Sequence, residues 1–267
     1  MLRRLIVPIV SILSIVPIFP IAAIVPIVPR LSLWYRGQPP GIARAADLTA
    51  IRAAGFTAIT WPAAQAAGLA EAARLASDAD LEFIIRPAPV PLTPAVARYP
   101  DTSVDIAAAR VAAAGLAPLV WRAIAHGARD ISFDPGAADT RLYAPGAIPP
   151  GWLVVVGDIA RQIRINGKVF ADATLAADQP KIDAPVARDV DVVLLGAGRT
   201  WVLVATNTSG TRARVTARLP AGVPYAIWLN LLNGDTLAML SEPAGPRWSF
   251  DLEGWGTRIY VIDKVLK

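Results

Sequence analysis

Leu116–Asp134 reads LAPLVWRAIAHGARDISFD, and its period changes part-way along. Pro118 fits the opening of a helix, because its ring presets φ and the missing N–H costs nothing in a first turn. Val120, Ile124 and His126 then follow helical spacing, and Gly127 supplies a C-terminal stop. Asp130–Asp134 alternates polar and apolar residues, as a strand does. A helix that turns directly into a strand is one βα unit of a parallel sheet.

The same unit recurs upstream. Leu33-Trp34-Tyr35 reads as a short strand, followed by the loop 36–41. Asp47 fits the N-cap of a helix carrying Leu48, Ile51 and Ala54, with Gly55 as its stop. Phe56–Trp61 is a strand ended by Pro62, Leu69–Ala76 a helix, and Leu81–Arg86 a strand ended by Pro87. Beyond Asp134, Trp152, Val156, Ile159, Ala160 and Ile163 mark a further helix ending at Asn166-Gly167. This alternation favours a mostly parallel sheet.

From Asp189 the period becomes that of short strands: 191–195, 200–207, 212–219, 225–232, 236–240, 247–252 and 258–262. Asn233-Gly234 predicts a type I′ hairpin turn, which needs positive φ at both central residues. Leu195-Gly-Ala-Gly198 predicts another turn between strands, with no phosphate-binding role. Trp201, Trp228, Trp248 and Trp255 are expected to fill this part's core. The fold class is therefore α/β plus all-β: a partial, TIM-barrel-like βα domain over 33–167, a linker over 168–188 and an antiparallel β-sandwich over 189–267.

The helix end Ala123–Ala128 (AIAHGA) before the strand at Asp130, and the earlier stretch Asp47–Pro62 (DLTAIRAAGFTAITWP), resemble bacterial β-galactosidase-type glycoside hydrolases. In those barrels an A-x-A-H-G-A helix end precedes the final strand, and a small β-domain follows. The resemblance implies carbohydrate-related ancestry and two catalytic glutamates, the acid following an asparagine at the end of a middle strand. Here Asn166, Asn207, Asn230 and Asn233 precede Gly, Thr, Leu and Gly, so no residue takes the acid's place. The four glutamates (Glu71, Glu82, Glu242, Glu253) give no match to the nucleophile either. The βα part is also about half the ~250 residues of a closed eight-stranded barrel.

Read without the resemblance, the chain offers one carboxylate pair for hydrolysis, which needs two such groups about 5–9.5 Å apart. Asp134 and Asp105 occupy C-terminal strand ends, where parallel α/β sheets build their sites. Arg86 and Trp61 end neighbouring strands and are the candidate substrate-binding residues. The structural alternative has Asp134 capping a turn, Arg86 paired with it and Trp61 in the core. The pair lying within about 10 Å in an open cleft would favour a hydrolase. Burial against arginines would favour a binding or structural protein. His126, the only histidine, is read as structural, at a helix C-terminus where a cation suits the dipole. Asn207-Thr-Ser209 matches a glycosylation acceptor.

The chain has no cysteine, which excludes disulfides and thiolate sites, and one histidine gives no metal cluster. No cofactor is expected. Its net charge of +5 is spread thinly, so nucleic acid is not an expected partner. Arg212, Arg214 and Arg218 read as the solvated face of one strand. Residues 1–32 begin with Arg3 and Arg4 and continue as the apolar run Leu5–Val28, in which IVPI recurs at Ile6, Ile15 and Ile24. That run is long enough for a bilayer, but its prolines argue against a straight helix, leaving a secretory signal or an anchor. The expectation is an exported or membrane-anchored, glycoside-hydrolase-like protein without catalysis, binding glycans or serving the envelope. The alternatives are an active hydrolase using Asp105 and Asp134, and a homo-oligomer whose open sheet edge pairs with another copy.

Overall fold

A computed structural model of the chain describes residues 29–35, 42–86, 96–98, 103–107, 111–134, 150–182, 189–198, 200–223, 227–238 and 246–263. The apolar run Leu5–Val28, the proline-rich loop after Arg86 and Pro135-Gly136 lie outside these.

Strands β1 (Arg30–Trp34), β2 (Ala58–Pro62), β3 (Glu82–Arg86), β4 (Val96–Arg98), β5 (Ser103–Ala107) and β6 (Asp130–Asp134) form one sheet in the order β3-β2-β1-β6-β5-β4. Five run parallel, and only the edge strand β4 is antiparallel. Helices α1 (Ala45–Ala53), α2 (Leu69–Asp78) and α3 (Ala113–Ala125) connect strands of this sheet, and α4 (Pro150–Ala171) leads from β6 to the C-terminal strands. The two sheet faces differ sharply. Leu31, Leu33, Ile59, Trp61, Val104, Ile106, Ile131 and Phe133 point into one apolar core shared with the helices. The alternate positions, Ser32, Thr60, Ser103, Asp105, Asp130 and Ser132, face the other way and are just as buried.

That second face is concave. β3 and β5 are four strand steps apart, about 19 Å in a flat sheet. Yet Arg86 of β3 donates to Ser103 Oγ of β5 at 2.5 Å and to Asp130 Oδ2 of β6 at 2.6 Å. An arginine side chain cannot cross 19 Å, so the sheet curls and Arg86 spans the curve as a chord.

Past α4 come β7 (Thr174–Leu175), β8 (Lys181–Ile182), β9 (Val190–Ala197), β10 (Thr200–Asn207), β11 (Ala213–Arg218), β12 (Ile227–Asn230), β13 (Thr236–Ala238), β14 (Arg247–Leu252) and β15 (Thr257–Asp263). They make a six-stranded sheet, β13-β12-β15-β10-β9-β7, and a three-stranded one, β14-β11-β8. Trp228, Trp248, Phe250, Leu203 and Tyr260 fill the core between them. The outer face of the larger sheet is also apolar: Val193, Leu195, Val202, Val204 and Ile259 join the core of the α/β part. Helices α3 and α4 thus lie between two sheets, and the molecule is layered as curled sheet, helices, sheet, sheet.

Several local expectations give way to tertiary context. Asp47 does not cap α1. The cap position is Arg44, without a side-chain bond, and Asp47 accepts the Tyr35 hydroxyl instead at 2.9 Å. Helix α3 begins at Ala113, five residues before Pro118, which sits inside it. The alanine-rich stretch ahead of the proline carries no capping signal, but α3 is held by packing on both sides. Helix α4 runs past Asn166-Gly167 to Ala171, anchored by fully buried Phe170. Both β7 and β8, in the stretch read as a linker, pair into the two C-terminal sheets. At Asn233-Gly234 only the glycine has positive φ, +79°, and five residues separate β12 from β13, so the turn is not type I′.

Two helix-terminating glycines separate backbone strain from steric clash. Gly127 has φ +93° and open space around it, whereas a Cβ on Gly55 (φ +94°) would stand 2.8 Å from Ala160 Cβ on α4. Gly127→Ala is expected to cost about 1 kcal/mol, for the left-handed backbone alone. Gly55→Ala adds roughly 1–3 kcal/mol for forcing α4 aside. Equal melting temperatures for the two variants would refute the close approach of α4.

Candidate functional site

The candidate site is the concave face of the curled sheet. At its centre Ser32 of β1 and Ser132 of β6 share a hydrogen bond of 2.6 Å, and Thr60 of β2 donates to Ser32 Oγ at 3.3 Å. Small hydroxyl residues are what a tight inner face accepts, and burial obliges them to find one another. On the N-terminal side Arg30 donates to Asp130 Oδ2 at 2.8 Å and also pairs with Glu82. On the other side Arg86 joins Ser103 and Asp130, with Asp105 Oδ1 at 3.7 Å from its guanidinium. The Asp105 and Asp130 side chains are only 1% and 7% exposed. Two arginines and two aspartates are therefore locked together across four strands.

Of the sequence-predicted residues, this face gathers Asp105, Asp134 and Arg86. Asp105 is in register with Ser132, which puts Asp134 two residues further along the neighbouring strand. Strand spacing and rise place their Cα atoms about 8 Å apart. Trp61 is not among them. It points into the helical core, fully buried, with its indole N–H donating to Gln65 O at 3.0 Å and its ring against Tyr35 and Phe83. It cannot stack on a ligand bound at the concave face.

Trp34, which alternation places on the concave face at the C-terminal end of β1, is the residue that sequence reasoning passed over. It is 1% exposed, belongs to neither apolar cluster, and its indole N–H has no hydrogen-bond partner among the described residues. A buried donor left unpaired is costly, and an incoming acceptor would satisfy it. The available signal was alternation: Ser32 and Trp34 share a face opposite Leu33.

A second polar cluster joins the layers. His126 Nε2 donates to Asp191 Oδ2 of β9 at 2.6 Å, and Arg122 Nε to the same oxygen at 3.0 Å. Burial pushes the Asp191 carboxyl up, but the His126 hydrogen bond and the His126 and Arg122 charges outweigh it, holding its pKa below the ordinary value. The unfolded chain therefore binds this proton more readily than the folded one. The stability this carboxylate contributes is fully present above its unfolded pKa, about 3.9, and is lost as pH falls through the lower folded value. Asp191→Asn is expected to flatten the stability profile below about pH 4. Unfolding curves of both proteins from pH 6 to 2.5 check it, and identical acid slopes would refute it.

Asn207 is fully buried, donating to Thr211 O at 2.7 Å and Glu253 O at 3.0 Å while accepting from Ser209 N. In the folded protein its amide is closed to a glycosyl transferase, so the acceptor motif serves as a structural knot. Arg214 of β11 is exposed, and Arg212 pairs with Asp251, as a solvated strand face requires. Among the described residues no group of three or more His, Cys, Asp or Glu is placed to hold a metal. No described helix is long and apolar enough to cross a membrane.

No family model and no curated protein matches the chain. Among solved structures it is similar to an α-amylase from Anoxybacillus (TM-score 0.38, 12% identity, 57% of this chain and 33% of that one). It is also similar to a γ-cyclodextrin glucanotransferase from alkalophilic Bacillus clarkii (TM-score 0.38, 14% identity, 87% and 36%). A third is a GH27 β-L-arabinopyranosidase from Geobacillus stearothermophilus (TM-score 0.40, 8% identity, 82% and 61%). All three are glycoside-processing enzymes of low identity, and the chain spans about a third of the amylase's length. None of these alignments transfers a residue's role to this chain.

Proposed function

We propose that this chain is an exported, non-catalytic carbohydrate-binding protein built on part of a glycoside-hydrolase-like barrel. One observation carries the reading: Asp105 is buried against the Arg86 guanidinium, which also holds Asp130. Acid–base or nucleophilic work requires a carboxylate that can reach substrate and change its protonation or bonding. Asp105 is instead enclosed in an ion-paired network that stabilises the curl. Asp134, at the C-terminal end of β6, would have to share hydrolysis with this enclosed Asp105.

The binding half of the proposal rests on the rim above this network. In parallel α/β sheets the C-terminal strand ends form the ligand crevice, and Trp34 brings to that end a buried N–H with no partner among the described residues. Neutral sugars offer hydroxyl acceptors for such a donor. Export is proposed from Arg3, Arg4 and the apolar run Leu5–Val28. Recovery of the full-length protein solely in the cytosolic fraction would remove that part.

The deciding experiment titrates the protein with a panel of neutral oligosaccharides by calorimetry and assays the same sugars for hydrolysis. Saturable binding without turnover, weakened by Trp34→Phe, is the expected result. The variant keeps an aromatic ring but removes the N–H together with the indole's five-membered ring, so unfolding of the variant is measured alongside its binding. Sugar release abolished by Asp134→Asn would establish a hydrolase instead.

A further inference from the structure

At the opposite end of the curled sheet, where β1 and β2 begin, lies a cleft of about 680 Å³. One bank is the end of α1 with Arg52, Ala53 and Gly55; the other is α4 with Gly157, Ala160, Arg161 and Arg164. Residues 157, 160, 161 and 164 recur at three- and four-residue steps, so they share one helix face. Glycine and alanine on facing positions let the two banks approach, and a Cβ at Gly157 would already stand 3.8 Å from Ala54 O. Three arginines therefore line one recess together with Leu31 and Ile163.

These arginines are available. Arg164 is exposed and makes no ion pair or hydrogen bond among the described residues. Arg161 bonds Asp158 at 3.2 Å and Arg52 bonds Asp80 at 2.6 Å, with a longer bond of 3.4 Å to the Phe56 carbonyl, but those carboxylates are 63% and 87% exposed. Exposed pairs of this kind hold their partners weakly, because water and salt screen them. A ligand oxyanion can displace either one, and the planar guanidinium fork binds carboxylate or phosphate through two parallel hydrogen bonds. The concave-face arginines Arg30 and Arg86, by contrast, are already held by Asp130.

We propose that this cleft binds a small organic anion carrying phosphate or clustered carboxylate groups, clamped between Arg52 on one bank and Arg161 and Arg164 on the other. The site is independent of the sugar-binding reading, since it lies at the other end of the strands and uses none of the same residues. The cavity volume is within the range of small-molecule sites.

The test is calorimetric titration of the full chain at low salt with two probes, inorganic pyrophosphate and citrate. Saturable binding with a Kd below about 1 mM is expected for at least one, weakening as salt is raised. Binding of pyrophosphate alone assigns phosphate, and binding of citrate alone assigns carboxylate. Arg161→Ala/Arg164→Ala should weaken binding at least about tenfold, the loss of two charge-assisted contacts, without changing the melting temperature, because both side chains are exposed. Arg164→Glu should abolish binding while leaving sugar binding intact. No saturation by either probe up to about 10 mM, or affinity unchanged in these variants, would overturn the proposal.

Discussion

Arg86→Met is expected to lower the free energy of unfolding by about 3–5 kcal/mol, the usual consequence of removing one member of a buried ion pair. The loss comes less from the missing attraction than from what stays behind. Asp105 and Asp130 would remain buried, with Arg30 alone to compensate Asp130. Adding Asp105→Asn to Arg86→Met removes a buried carboxylate that has lost its Arg86 partner and should recover part of the loss, so the two effects fall short of additivity. Urea unfolding of the four proteins of this cycle measures it. A loss under about 1 kcal/mol, as for solvated pairs, would mean that water reaches the concave face. Asp105 would then be free to act, and the hydrolase reading would gain what the binding reading lost.

Phe133→Ala should be comparably damaging, about 3–5 kcal/mol for an emptied aromatic site in a core. Phe133 is fully buried on the helical face of β6, edge-on to Phe56 at 5.7 Å and to Trp152 of α4 at 5.5 Å. It ties the central strand to the helix that leads into the C-terminal sheets. Phe133→Leu should cost much less, since most of the volume is kept. Unfolding of the alanine variant is expected to remain one transition, with tryptophan fluorescence and far-UV circular dichroism coinciding. Separate transitions would show that the helical layer does not couple the two parts.

The alternation of helices and strands was legible because each boundary carries its own local chemistry. Gly55 and Gly127 end helices with positive φ, and β10 and β14 fall on the residues their alternation marks. The curl was not legible. Ser32, Thr60 and Ser132 alternate with apolar neighbours just as the solvated face of an ordinary strand would, and nothing local says that this face closes on itself. The partners of Arg86 named above, Ser103, Asp105 and Asp130, come from two strands well beyond it in sequence, so no spacing announces them. Asp47 shows the same limit on a smaller scale, since a capping preference of about 1 kcal/mol yields to a buried Tyr35 hydroxyl. Trp61 was assigned to the ligand side because it ends a strand. Parity along β2, set by Thr60, puts it on the other side.

The layering sets the order in which the molecule can be made. Leu31 and Ile259 belong to one core, so its two ends are supplied by strands from nearly opposite ends of the chain. Sequence-distant contacts of this kind raise contact order and slow folding. As the ribosome releases the chain, the helices can form early, but one wall of the core arrives only with β9 and β10 and is completed by β15. Until then the apolar faces of α3 and α4 have no cover from the C-terminal side, which makes a nascent chain of this design a natural client for chaperones.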